Sequence, residues 1–200
     1  MIVLGLTGSV GMGKSTTAAL FRAAGAAVHD ADRSVHALYR GRAVPLIEAA
    51  FPDAVADGAV DRARLGAIVL GDDAAMKRLE AIVHPLVREE EAAFLAGASA
   101  AGRRVAVLDV PLLLETGRGR AVDAVVVVTA DPAVQRARVL ARPGMDEARF
   151  AAILARQMPD AEKRRRAHFL IDTGHGMAFA ERAVAAILRA VAPIRTRCGG

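Results

Sequence analysis

The eight residues from Gly8 to Ser15, Gly-Ser-Val-Gly-Met-Gly-Lys-Ser, have the spacing G-x-x-x-x-G-K-[ST]. Residues of these types at this spacing can bind a polyphosphate. Glycines let the backbone curl with its N–H groups turned inward, and a helix starting at the lysine adds its unpaired N-terminal donors and positive dipole end to the same concavity. The Lys14 ammonium can reach β- and γ-phosphates as a point charge, and the Ser15 hydroxyl can take one position on a magnesium ion that bridges them. The only lysines are Lys14, Lys77 and Lys163. A Gly-Lys-Ser with a second glycine at the right distance therefore arises by chance on the order of once per thousand such chains.

The pattern works only between a strand and a helix. Ile2 to Thr7 reads as a strand buried on both faces, and Lys14 to Ala24 as the helix, stopped by Gly25. Ala26 to Asp30 predicts a second strand, so Asp30 and Asp32 fall at a strand's carboxyl end, the edge where open α/β sheets hold ligands. Either aspartate can cap the next helix; Asp32 is the candidate to hold and deprotonate an acceptor hydroxyl. From Arg33 to Gly102 the pattern is helical, broken at Gly41, Pro52 to Gly58, Gly71-Asp72-Asp73 and Pro85, with no strand expected. That is too much for one crossover helix and predicts an inserted helical subdomain.

Arg104 to Val110 is the third expected strand, with Asp109 placed either to hold magnesium through water or merely to end the strand. Val122 to Thr129 and His168 to Asp172 are the fourth and fifth. Asp131-Pro132 opens a helix to about Arg142, and Asp146 to Met158 forms another. These two carry Arg136, Arg138, Arg142, Arg149 and Arg156, a density that fits a mobile cover over phosphates. Met177 to Ala192 reads as a closing amphipathic helix and residues 193–200 as a loose tail.

Composition narrows the class. Two hundred residues at 54% hydrophobic suit one compact domain with a small appended subdomain. The single cysteine, Cys198, excludes an internal disulfide and a cysteine-based zinc cluster, which fits a reducing, cytoplasmic setting. No run of eighteen apolar residues occurs, so no membrane partner is expected. The formal charge of +5 and the run Lys163-Arg164-Arg165-Arg166 raise a nucleic-acid reading. With 4% aromatics and no tryptophan there are no stacking platforms, and Arg164 to Arg166 read as a solvated helix face. Arginine forks matched to a multiply phosphorylated small molecule account for the charge better. No nucleic-acid partner is expected, and a monomer is.

A phosphate loop alone serves motors, switches or kinases. A base-reading N-K-x-D segment, expected of a switch GTPase, does not occur. A phosphoryl-transfer enzyme needs a second pocket, an acceptor-orienting group and positive charge over the migrating group. The helical stretch, Asp32 and the arginine-rich helices are candidates for all three. The alternatives are a small-molecule kinase with a nucleoside or sugar acceptor, and a nucleotide-binding protein that uses its basic face on nucleic acid.

From about residue 2 to 176 the chain resembles the dephospho-coenzyme A kinases, which phosphorylate the 3′-hydroxyl of dephospho-CoA. The resemblance rests on Gly5-Leu6-Thr7-Gly8 through Ser15-Thr16, Asp30-Ala31-Asp32 with His36, Asp57-Gly58 with Asp61-Arg62, and Leu79-Glu80 with His84-Pro85 and Arg88. It continues in Pro111-Leu112-Leu113 with Glu115, Asp123, Gln135 with Arg138 and Arg142, Gln157, and Ile171-Asp172 with Gly174. The resemblance implies a P-loop kinase core with a five-stranded parallel sheet flanked by helices (about 1–31, 103–133 and 167–192). It adds a helical CoA-binding subdomain (about 32–102) and a small helical lid (about 134–160). It further implies ATP and Mg2+, with Gly8, Gly11, Met12, Gly13, Lys14, Ser15 and Thr16 on ATP, Asp32 as base, and Arg138 and Arg142 near the phosphates. His84, Arg88, Leu113 and Glu115 fall on the acceptor side.

Three positions depart from that pattern. The family shows an alanine-aspartate pair before its last strand and an asparagine after Ile-Asp, where this chain has Ala167-His168 and Thr173. Adenine contacts are therefore expected to differ there. The family's lid arginine five residues before the glutamine is Ala152 here, leaving Arg149 or Arg156 to supply that charge. None of the three is expected to touch the loop or Asp32.

Overall fold

The computed structural model describes residues 1–194; Cys198 and the expected tail beyond residue 194 lie outside the described residues. In chain order the elements begin with β1 (Ile2–Thr7), α1 (Lys14–Ala23), β2 (Ala27–Asp30), α2 (Ala31–Leu38) and α3 (Val44–Ala50). A two-strand hairpin, β3 (Val55–Ala56) and β4 (Ala59–Val60), leads to α4 (Arg62–Val69) and α5 (Asp73–Ala100). Then come β5 (Val105–Asp109), β6 (Ala124–Thr129), α6 (Pro132–Leu140), α7 (Glu147–Ala155), α8 (Asp160–Arg165), β7 (Phe169–Asp172) and α9 (Met177–Val191). The chain divides into two compact units, Met1–His29 with Ala98 onward, and Asp30–Gly97.

The first unit is built on a parallel sheet of order β2-β5-β1-β6-β7. Its central strand, β1, pairs with β5 from Ile2↔Val105 and with β6 from Leu4↔Ala124. All residues of β5 and β6 are buried, which is why both read as unbroken apolar runs rather than as alternation. On one face Leu4, Leu6, Val107, Val126 and Val128 pack with Phe21 of α1 and with Ala180, Val184 and Ile187 of α9. On the other, the absent side chain of Gly5 leaves room for Leu113, because a Cβ there would lie 2.5 Å from Leu113 Cδ2.

The second unit has its own core: Leu38, Ile47, Phe51, Val60, Leu65, Val69, Leu79, Val83, Leu86 and Val87. Two sequence expectations fail here. The first is the break at Pro85, since α5 runs through it for 28 residues. Proline removes one backbone bond from the ladder, but Val83, Leu86 and Val87 beside it are buried in this core and hold both halves in line. The second is the absence of strands. Asp57 (φ 51°) and Gly58 (φ 73°) both take positive φ, the two-residue turn that joins antiparallel strands, and Val55 and Val60 pair across it.

Phe21 is fully buried between the sheet and α9. Phe21→Ala is expected to lower unfolding stability by about 3–5 kcal/mol, read from urea denaturation of the purified protein.

Candidate functional site

The phosphate loop leaves the carboxyl end of β1 and enters α1 at Lys14. Gly13 caps that helix with φ 87°, a left-handed conformation that a side chain would strain. At the loop's start, a Cβ on Gly8 would come within 2.7 Å of the Val128 carbonyl oxygen, so this position admits only glycine against β6. Met12 and Ser9 are buried beneath the loop, whereas Ser15 and Thr16 are exposed on its outer side.

Val10, at the loop's tip, is held at both of its peptide groups. Its N–H donates to Gln157 Oε1 at 3.1 Å, and its carbonyl accepts from Gln135 Nε2 at 2.7 Å. Gln135 is buried on α6, and Gln157 follows α7. The resemblance had carried both glutamines without saying what they touch.

Lys14 Nζ lies 2.5 Å from Asp109 Oδ1, at the end of β5, and both side chains are largely buried. Asp109 therefore faces the lysine of the loop rather than merely ending its strand. A cavity of about 290 Å³ opens beside the loop, lined by Gly11, Gly13, Thr16, Arg138, Arg142 and Thr173 among others. Three of the expected loop residues, Gly11, Gly13 and Thr16, thus meet Arg138 and Arg142 at one cavity.

Thr173 was expected to stay clear of the loop, and it does not. Its hydroxyl donates to the Met12 carbonyl at 2.9 Å and accepts from Arg138 Nη1 at 2.8 Å, while its own carbonyl accepts from Arg138 Nη2 at 2.9 Å. The turn after β7 brings it against Gly13. His168 has the opposite fate. It precedes β7, roughly 16 Å of strand away from Thr173, and its Nδ1 accepts the Val125 N–H at 3.1 Å. The imidazole lone pair serves a sheet edge there, as a carboxylate would, so the substitution bears on strand pairing rather than on adenine. Arg149, Ala152 and Arg156 line one groove of about 360 Å³, so arginines on neighbouring turns face the place where the family's lid arginine is missing.

Two residues expected on the acceptor side have internal partners. Leu113 is 1% exposed and fills the space over Gly5. Glu115 faces Lys163, the first residue of the basic run, which is fully buried on α8 rather than solvated; Arg164 to Arg166 are exposed as expected. Lys163 Nζ sits 2.8 Å from Glu115 Oε1, as an ion pair without the alignment of a hydrogen bond. The same carboxylate oxygen accepts the Met158 N–H at 3.0 Å, and Asp160 Oδ2 accepts from Thr129 Oγ1 at 2.8 Å. Lysine is rare in this arginine-rich chain, and two of its lysines, Lys14 and Lys163, stand where a compact ammonium meets a carboxylate.

In the second unit, Asp30 caps α2 by accepting the Arg33 N–H at 3.0 Å. Asp32, exposed in the first turn of the same helix, takes no part in that cap. His84 and Arg88 lie one helical turn apart on α5 and are both exposed.

A parallel sheet with a glycine-rich phosphate loop, a lysine meeting a strand-end aspartate, and arginines at the loop's cavity define a P-loop kinase core. The dephospho-CoA kinase family model matches residues 2–178, and the chain belongs to that family. A dephospho-CoA kinase of Mesorhizobium japonicum is 66% identical over 94% of this chain and 95% of its own length. One from Nitrobacter winogradskyi is 56% identical over 98% and 99%. Among solved structures, TT1252 from Thermus thermophilus superposes with a TM-score of 0.83 at 35% identity, covering 95% of this chain and 97% of its own. The dephospho-CoA kinase from Campylobacter jejuni shares the fold, with a TM-score of 0.64 at 21% identity over 94% and 96%.

Burial pushes the Glu115 carboxyl up, but the Lys163 ammonium, the Met158 N–H and its own backbone N–H together hold it below the ordinary 4.5. A carboxyl lowered in the folded state stabilises above its unfolded-state pKa and loses that contribution as pH falls through the folded value. Glu115→Gln leaves Lys163 buried without its counter-charge and is expected to cost about 3–5 kcal/mol at neutral pH. The gap between wild type and variant in urea denaturation should narrow as pH drops below 4.5.

Proposed function

We propose that the chain transfers the γ-phosphoryl group of ATP to the 3′-hydroxyl of the dephospho-CoA ribose, giving coenzyme A and ADP, the last step of coenzyme A biosynthesis. Membership of the family across nearly the whole chain, with the loop intact, carries this reading. The polyphosphate lies along the loop's N–H groups and the start of α1, with Gly8, Gly11, Met12, Gly13 and Lys14 forming the cradle and Ser15 and Thr16 its outer wall. Lys14, paired with Asp109, shifts its charge to the β- and γ-phosphates as they bind.

Asp32 receives the proton of the attacking hydroxyl. Its carboxylate is available for that task because Asp30 does the capping. Arg138 and Arg142 offset the charge that spreads over the equatorial oxygens of the transferring group. The residues also suit magnesium: a hydroxyl and a carboxylate are hard oxygen donors, and the Lys14 to Asp109 contact sets that carboxylate beside the residue preceding Ser15. Ser15 would hold the ion directly and Asp109 through water, and the ion supplies neutralising charge between the phosphates.

The Asp30–Gly97 unit provides the acceptor pocket, with His84 and Arg88 presenting polar and cationic groups from α5 to the substrate's phosphates. Residues 134–160 form the lid. A monomer acting in the cytoplasm, where ATP is the donor, completes the reading.

The test is ADP release with magnesium-ATP and dephospho-CoA, against adenosine, 4′-phosphopantetheine and no acceptor, with coenzyme A confirmed by mass. Turnover with dephospho-CoA alone is expected. Turnover with adenosine instead would move the chain to a nucleoside kinase. Asp32→Asn should lower kcat by about 100-fold or more while ATP affinity changes by less than about 3-fold. Unchanged turnover would take Asp32 out of its role.

A further inference from the structure

Thr173 joins the phosphate loop, the end of β6 and Arg138. Its hydroxyl has one proton and two lone pairs. The proton goes to the Met12 carbonyl of the phosphate loop at 2.9 Å, with the Thr129 carbonyl at the end of β6 farther off at 3.3 Å. A lone pair takes Arg138 Nη1, and the Thr173 carbonyl takes Nη2. Two bonds from one guanidinium to one residue restrict the orientation of the guanidinium as well as its distance. Thr173 is 8% exposed, and its methyl faces Gly13 at the foot of α1. Arg142, which lines the same cavity, has no side-chain bond to any described residue.

We propose that Thr173 is a positioning residue for phosphoryl transfer, holding the Arg138 guanidinium in fixed register with the phosphate loop. This rests on the reading of Arg138 as facing the transferring phosphate. Without the hydroxyl, Arg138 keeps only the single bond from Nη2 to the Thr173 carbonyl and loses its link through Thr173 to the Met12 carbonyl, and a charge that must find its position late contributes less to the transition state than one already set. The loss then falls on kcat rather than on ATP binding, because the ground state can use the loop itself. The hydroxyl's proton is committed within the protein, so it does not donate to a base edge.

Thr173→Val removes the hydroxyl and keeps the shape, Thr173→Ser keeps the hydroxyl, and Arg138→Ala removes the charge. In the full chain, T173V should lower kcat by about 10-fold or more with KM for ATP within about 3-fold, and T173S should recover most of that loss. In the R138A background T173V should add less than about 2-fold, because the residue acts through Arg138. A readout without nucleotide is the 15N spectrum of the Arg138 side chain, whose Nη signals should exchange slowly in wild type and T173S and faster in T173V, where only the Nη2 bond to the carbonyl remains. Should T173V not fold, T173A set against T173S makes the same comparison. If R138A turns over like wild type, the phosphate-facing reading of Arg138 fails, and the proposal with it. If R138A is slow while T173V is not, or T173V costs as much with Arg138 gone, only the positioning role of Thr173 falls.

Discussion

A loop that turns its own N–H groups inward for a ligand cannot fold those groups into helix or sheet, so its shape has to be imposed from outside. The Val10 peptide is where that is done. Gln157 holds its N–H and Gln135 holds its carbonyl. Both amide side chains come from the stretch between β6 and β7, so the phosphate loop and that stretch are one hydrogen-bonded assembly. Gly8 against the Val128 carbonyl and Thr173 against Gly13 set the loop's other two boundaries. The cradle is thus built by β6, the turn after β7, α6 and the residues after α7, more than by its own sequence.

That arrangement limits what can move. Four contacts fall within the seven residues 157–163: Gln157 to Val10, Met158 to Glu115, Asp160 to Thr129, and Lys163 to Glu115. Earlier in the chain, Gln135 and Arg138 of α6 are fastened to the loop and to Thr173. The stretch between, with α7 and the exposed Arg142, Arg149 and Arg156, lies outside both anchors. The Glu115–Lys163 pair, in which the lysine is fully buried and the glutamate half-buried, belongs to the anchor at residues 157–163. It is costly to bury and is no general source of stability, but losing Glu115 leaves the Lys163 charge inside without a partner.

The sequence carried the parts of this fold that depend on local periodicity. The strands of the main sheet were visible as apolar runs, and the loop was visible because glycine, lysine and serine have mechanical reasons to stand at their spacing. What it hid depends on contacts between distant segments. Thr173 and Met12 are 161 residues apart, and no local pattern marks a threonine as the link between a loop and an arginine. Lys163 looked like the edge of a basic run because burial of a single ammonium depends on Glu115, 48 positions earlier. The Asp57-Gly58 hairpin is different, since its turn signal was present and was outweighed by the helical pattern around it. Pro85 misled for the reason that tertiary packing overrides a local preference.

Two of the three departures from the family's pattern sort themselves by their place along β7. His168 stands at the strand's amino end, where a side-chain lone pair is needed to receive the Val125 N–H, and imidazole and carboxylate both provide one. Such an exchange changes no group at the sheet's carboxyl edge, where the phosphate loop lies. Thr173 stands at that edge, and its side chain is bonded to the loop and to the arginine that faces it. A substitution there alters how the two are held relative to each other, even though the fold around them is the same. Two residues that look alike in the sequence, as single exchanges flanking one short strand, therefore differ in consequence because parallel sheets place function at one end of their strands and only structure at the other.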